Sequence, residues 1–247
     1  MEGSRFMILN TSVNGEGEPL ILFHSFGNTG DSMHEEVMEF FVDKGYKVLR
    51  PDLRGHGGSV GEIKNYFSYA AGDVKDTLVS FGIEKCHIAG VSYGGVVALL
   101  FAQRYPEYIK SLSVSGVFPV KPEDWDKTEK EEARWFEELQ SNSEMASVLT
   151  EMHGNRHWIK LFQAAIDHEL PYPFEQTSNV LNISVPMICI SGGSSQQEIA
   201  NAVNFKNINP DIHIAIIPFA GHIVSEEQPL LYSHILYEFI CRVDNKK

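Results

Sequence analysis

Apolar runs and stretches of helical period alternate along most of this chain. Leu20-Ile21-Leu22-Phe23 and Val185–Ile190 are continuous apolar runs of the kind buried on both faces of a parallel sheet. Tyr46–Leu49, Cys86–Val91, Ile109–Val117 and Ile212–Ile217 read as further strands. Between them, Glu35–Lys44 has helical character and closes at Gly45. Apolar positions 66, 67, 70, 74, 78 and 81 then repeat close to a 3.6-residue period before Gly82. A helix after Val91 runs to about Arg104 and is ended by Pro106, Gln197–Phe205 is another, and Leu230–Arg242 is amphipathic. Phe6–Leu9 is a short apolar run, and Asn14–Pro19 is a turn. The alternation predicts an α/β fold, a mostly parallel sheet joined by crossover helices.

After Ile109–Val117 the alternation stops. Lys121–Glu138 is rich in Glu, Asp and Lys, with Trp125, Trp135 and Phe136 interleaved; two or so helical stretches fill Ser141–Leu170, and Pro171-Tyr172-Pro173 closes the region. So long a stretch without a strand signal exceeds a simple loop. It is expected to be a helical cap, 118–180, inserted into a core domain made of 1–117 and 181–247. Trp125, Trp135, Phe136 and Trp158 are expected to pack that cap, some of them lining the roof of a pocket.

Composition narrows the partners more than the fold. The 247 residues suit one α/β domain with a large core. A net charge of −13 argues against a nucleic-acid partner, which needs a basic face, and disfavours an anionic membrane surface. No apolar run is long enough to span a bilayer. Met1–Asn10 lacks the apolar core and cleavage site of a secretory signal, so a cytoplasmic location is expected. Cys86, Cys189 and Cys241 have no framework spacing, and the first two read as buried thiols. His153 and His157 stand four apart, yet Gly154 lies between them and no carboxylate completes a metal motif, so no metal is expected. The oligomeric state is not readable.

The chemistry centres on Ile88–Leu100, where an apolar run passes through Gly90-Val91-Ser92-Tyr93-Gly94 into a helical pattern. A strand running straight into a helix strains the residue at the apex. The flanking positions then favour glycine, because the two backbones pass close together. That is the G-x-S-x-G nucleophile elbow, with Ser92 at its tip. Three further motifs accompany it: His24-Ser25-Phe26-Gly27, Pro51-Asp52-Leu53-Arg54-Gly55-His56-Gly57, and Ala220-Gly221-His222 with Glu227 and Pro229 behind. In this order they resemble the α/β-hydrolase fold family over nearly the whole chain. Ser25-Phe26-Gly27 is faintly similar to 3-oxoadipate enol-lactonases, and Ser92-Tyr93-Gly94-Gly95 to proline iminopeptidases.

The resemblance implies Ser92 as nucleophile and His222 as general base, since a serine hydroxyl needs an imidazole to take its proton. It implies an oxyanion hole from the backbone N–H groups of Phe26 and Tyr93. It has glycine where Ser25 stands here. His24, Asp52, Arg54 and His56 match positions that hold loops in shape. No cofactor is implied, and the partner is a small-molecule substrate.

One position departs from the family. The acid that orients the histidine usually follows the strand matching Val185–Ile190, and here that position is Ser195. Three readings stay open. Another carboxylate substitutes (Glu198, Glu123 or Asp124); or Ser195 accepts the Nδ1–H bond; or the protein has drifted from hydrolysis. Two functions follow from these. One is a serine hydrolase of a small carboxylic ester, thioester or lactone, acting through an acyl-enzyme on Ser92. The alternative is a ligand-binding or signalling protein with little turnover. Cofactor-free oxygen chemistry with His222 as base is a minor third.

Overall fold

The computed structural model describes residues 6–154 and 157–245. Strands β1 (Thr11–Asn14) and β2 (Glu18–Phe23) lead into helix α1 (Glu35–Asp43), strand β3 (Tyr46–Pro51) and helix α2 (Tyr66–Ser80). Strand β4 (Cys86–Val91) runs directly into α3 (Tyr93–Arg104), which is followed by β5 (Ile109–Ser115). Four helices come next: α4 (Trp125–Ser141), α5 (Ser143–Met152), α6 (Trp158–Ile166) and α7 (Phe174–Thr177). Then β6 (Met187–Gly192), α8 (Gln196–Ile208), β7 (His213–Ile217), α9 (Val224–Glu227) and α10 (Pro229–Val243) complete the order.

The strands form one sheet in the order β1-β3-β2-β4-β5-β6-β7. β2 through β7 pair in parallel, whereas β1 pairs antiparallel with β3, Thr11 opposite Pro51. This is the α/β architecture that the alternating pattern predicts. β1 is the strand the pattern does not announce. Thr11-Ser12-Val13-Asn14 is mostly polar and partly exposed at the sheet edge, where backbone pairing needs no apolar face.

An apolar layer on each side sandwiches the sheet. On one face α1 and α10 bury Val37, Phe41, Leu236 and Ile240 against Leu20, Leu22 and Val48. On the other, α2, α3 and α8 contribute Leu78, Val97, Phe101 and Phe205. That second layer is continuous with Phe136, Leu149, Trp158 and Phe162 from α4, α5 and α6, so the helices after β5 are packed onto the core. From β2 the chain turns to β3 on one side, and later strands build outward from β4 on the other. The carboxyl ends of β2 and β4 therefore flank the switch point, where open α/β sheets form a crevice for ligands.

Candidate active site

Every residue of β4 is buried up to Val91, and Ser92 then carries the turn into α3 with φ 55° and ψ −122°. An L-residue in that region is strained, and such strain persists only where the surroundings hold it. Here the Ser92 N–H donates to the Ser115 carbonyl at 2.8 Å, pinning the apex to the end of β5. A Cβ at Gly90 would run into the Gly94 carbonyl, and one at Gly94 into the His24 carbonyl. Strand, helix and the loop after β2 thus meet through bare backbone.

Ser92 Oγ lies 3.0 Å from Nε2 of His222, and His222 Nδ1 lies 2.7 Å from Oε1 of Glu198. With Nδ1–H donated to the carboxylate, Nε2 is left bare to accept the serine proton. Glu198 comes from the first turn of α8 and its side chain is 4% exposed, while His222 is 43% exposed and faces a cavity. Glu227 accepts the Gly221 N–H at 2.7 Å and the Ile223 N–H at 3.0 Å, bracketing His222 on both sides. Burial pushes the His222 imidazole toward the neutral form. The hydrogen bond and charge of Glu198, helped by Glu132 and Glu227, outweigh it, and the net shift is upward.

Ser195, Glu123 and Asp124 stand elsewhere. Ser195 is the N-cap of α8, its Oγ accepting the Glu198 N–H at 3.3 Å, and Nδ1 is taken by Glu198 instead. Glu123 and Asp124 are exposed at the start of α4 and do not hydrogen-bond to the ring. A helix start at Gln196 puts position 198 on the turn facing the β7–α9 loop. The sequence shows the helix but not which way its first turn points.

Tyr93 is the first residue of α3, so its N–H has no acceptor within the helix. The Phe26 N–H, on the loop after β2, has no acceptor among the described residues, and the Phe26 and Tyr93 rings lie 4.9 Å apart. Where the family resemblance has glycine, Ser25 is buried with its N–H and Oγ each 3.3 Å from Met33 Sδ. Asp52 accepts the N–H groups of Gly30 and Gly58 and the amide of Asn10, and Arg54 forks onto Asp73 at 2.7 and 2.6 Å. These side chains hold the loops beneath the site.

Above Ser92 and His222 is a cavity of about 350 Å³. Phe118, Trp125, Phe136 and Tyr172 give it apolar walls, and Glu129, Glu131 and Glu132 of α4 give it negative ones; among the described residues no Lys or Arg lines it. The Glu132 carboxyl is raised by burial, against the pull of His222. Positions 125, 129, 132 and 136 fall at i, i+4, i+7 and i+11, one helix face. That signal for a lining face becomes usable once the start of α4 is known. Trp158 is buried, whereas Trp135 is 54% exposed. Among the described residues no cluster of His, Cys, Asp or Glu is arranged to hold a metal ion, and no helix is long and apolar enough to cross a membrane.

A family model for the alpha/beta hydrolase fold matches residues 18–180. Human epoxide hydrolase 4 is 37% identical over 102 residues, which is 40% of this chain and 28% of that protein. A proline iminopeptidase of Xylella fastidiosa is 27% identical over 111 residues, 44% of this chain and 35% of that protein. The matched segment thus spans about a third of these relatives' length. A carboxylesterase structure from the thaumarchaeon Nitrososphaera gargenis superposes with a TM-score of 0.79 at 18% identity, covering 96% of each chain, a likeness of fold.

Proposed function

Because the chain belongs to the alpha/beta hydrolase fold family, we propose that it is a serine hydrolase cleaving a small carboxylic ester, thioester or lactone. The observation that carries this reading is the continuous line from Ser92 Oγ through the His222 ring to Glu198, at 3.0 and 2.7 Å. Ser92 Oγ attacks the substrate carbonyl carbon as His222 Nε2 takes its proton. Glu198, as third member, holds the tautomer and stabilises the imidazolium. The carbonyl oxygen becomes an oxyanion facing the N–H groups of Tyr93 and Phe26. Each such donor is worth about 10²–10³ in turnover. As the tetrahedral centre collapses, the leaving group takes the proton from Nε2 and an acyl-enzyme remains on Ser92. Water, deprotonated by the same ring, then releases the acid.

Residues 118–180 act as the cap that sets substrate choice. Their glutamates make the cavity favour neutral or cationic substrates over anionic ones. Serine at position 195 favours binding without turnover, whereas the Glu198 carboxylate against His222 Nδ1 supports hydrolysis. Turnover of p-nitrophenyl acetate and butyrate by the wild type and Ser92→Ala tests the proposal. A loss of about 10⁴-fold or more is expected in the variant, and equal rates overturn it.

A further inference from the structure

Three successive peptide units of the loop after β2 are each held by a different buried histidine. His24 Nδ1–H donates to the Ser25 carbonyl at 2.8 Å, on the Ser25–Phe26 peptide. The next N–H, that of Gly27, donates to His56 Nε2 at 3.2 Å. The Gly27 carbonyl then accepts from His153 Nε2–H at 3.1 Å. In a trans peptide the carbonyl and N–H point opposite ways. The grip on the Ser25 carbonyl therefore aims the Phe26 N–H, and the two grips on Gly27 keep the following units from rotating.

The far side of each ring is also satisfied. His24 Nε2 accepts the Leu53 N–H at 2.9 Å, His56 Nδ1–H donates to the Arg54 carbonyl at 3.1 Å, and His153 Nδ1 accepts the Gly57 N–H at 3.0 Å. Each imidazole thus has one donor and one acceptor in use, which fixes it as neutral and fixes its tautomer. The residues are 0, 0 and 3% exposed. Burial pushes all three rings toward the neutral form, against the pull of the Asp52 carboxylate on His24 and His153. Among the described residues, Arg54 of the same loop as His56 is paired with Asp73. His24 and His56 belong to the loops that follow the carboxyl ends of β2 and β3, whereas His153 caps the C-terminus of α5.

We propose that His153 is a positioning residue for the reaction: it ties α5 to the oxyanion loop and, with His24 and His56, fixes the direction of the Phe26 N–H. The role rests on the serine-hydrolase reading and acts through Phe26, not by contact with substrate. His153→Ala is expected to lower kcat per fluorophosphonate-labelled site by about 10–100-fold, less than loss of the donor itself. Affinity for a trifluoromethyl ketone, which forms a tetrahedral oxyanion adduct, falls by the same factor while KM changes little. His153→Gln, which keeps a donor for the Gly27 carbonyl, recovers part of the loss. A purely structural role would reduce the number of labelled sites and leave the rate per site unchanged, and that result overturns the proposal alone. A wild type no faster than Ser92→Ala overturns the hydrolase reading and this role with it. Nitrogen NMR of histidine-labelled wild type needs no variant. At pH 6 the three rings are expected to be neutral, each with the tautomer given above, and a protonated ring among them overturns the cradle.

Discussion

Glu198 reaches His222 from the first turn of α8 at 2.7 Å, while Ser195, three residues earlier, turns its hydroxyl onto the Glu198 N–H as the helix cap. The two residues share one turn and divide two tasks. Glu198→Gln, which removes the charge at nearly constant shape, is expected to lower kcat by about 10³–10⁴-fold. Ser195→Ala loses a cap, worth about 1 kcal/mol of stability, and changes kcat only a few-fold. Steady-state kinetics with urea unfolding of both variants checks the division, and a larger kcat loss in Ser195→Ala would reverse the assignment.

The pH profile follows from the upward shift of His222. A general base works in its neutral form, so kcat/KM falls as pH drops through the raised value. The acid limb is expected above the ordinary histidine value of 6.5. Removing the Glu198 charge leaves burial to dominate, and the limb in Glu198→Gln moves to lower pH. Profiles of both proteins measure this directly, and an acid limb in the wild type below 6.5 contradicts it.

Charge selection is the third expectation. Glu129, Glu131 and Glu132 line the cavity without a lysine or arginine among the described lining residues. A choline-type ester is expected to have a higher kcat/KM than a dicarboxylate half-ester of similar size. The double variant Glu129→Gln/Glu132→Gln narrows that ratio, by about 10-fold in moderate salt. A ratio that the variant leaves unchanged shows that α4 does not read charge.

Much of this was legible in the residue pattern, and the exceptions have physical causes. The inner strands β2, β4 and β6 stand out because burial on both faces leaves apolar runs, β7 stands out by its isoleucines although it is an exposed edge strand, and the elbow stands out because close backbone approach demands Gly90 and Gly94. β1 is hidden because an edge strand can be polar. In the sequence Glu198 is only one of several candidate supports for His222, since a helix pattern gives the turn and not its rotation about the neighbouring loop. Likewise His153 was visible as half of an i, i+4 pair. Its partners, Gly57 and Gly27, lie 96 and 126 residues away, a relation no local spacing carries.

Acid stability should follow the buried histidines. Burial holds His24 and His34 down at about 4, against 6.5 when unfolded. The unfolded chain therefore binds protons that the folded one refuses. This contribution is fully present above about pH 6.5 and is lost as pH falls toward 4. Each of the two rings is expected to cost about 2 kcal/mol between pH 7 and pH 5. Urea midpoints at the two pH values check it, and unchanged midpoints contradict it.

Activation of Ser92 as a nucleophile by His222 is checked by intact-mass measurement after brief exposure to a fluorophosphonate. One adduct per chain is expected in the wild type, mapped to Ser92 by peptide sequencing, with none in Ser92→Ala and slow labelling in His222→Ala. A wild type that stays unlabelled, or that labels equally in Ser92→Ala, contradicts the claim.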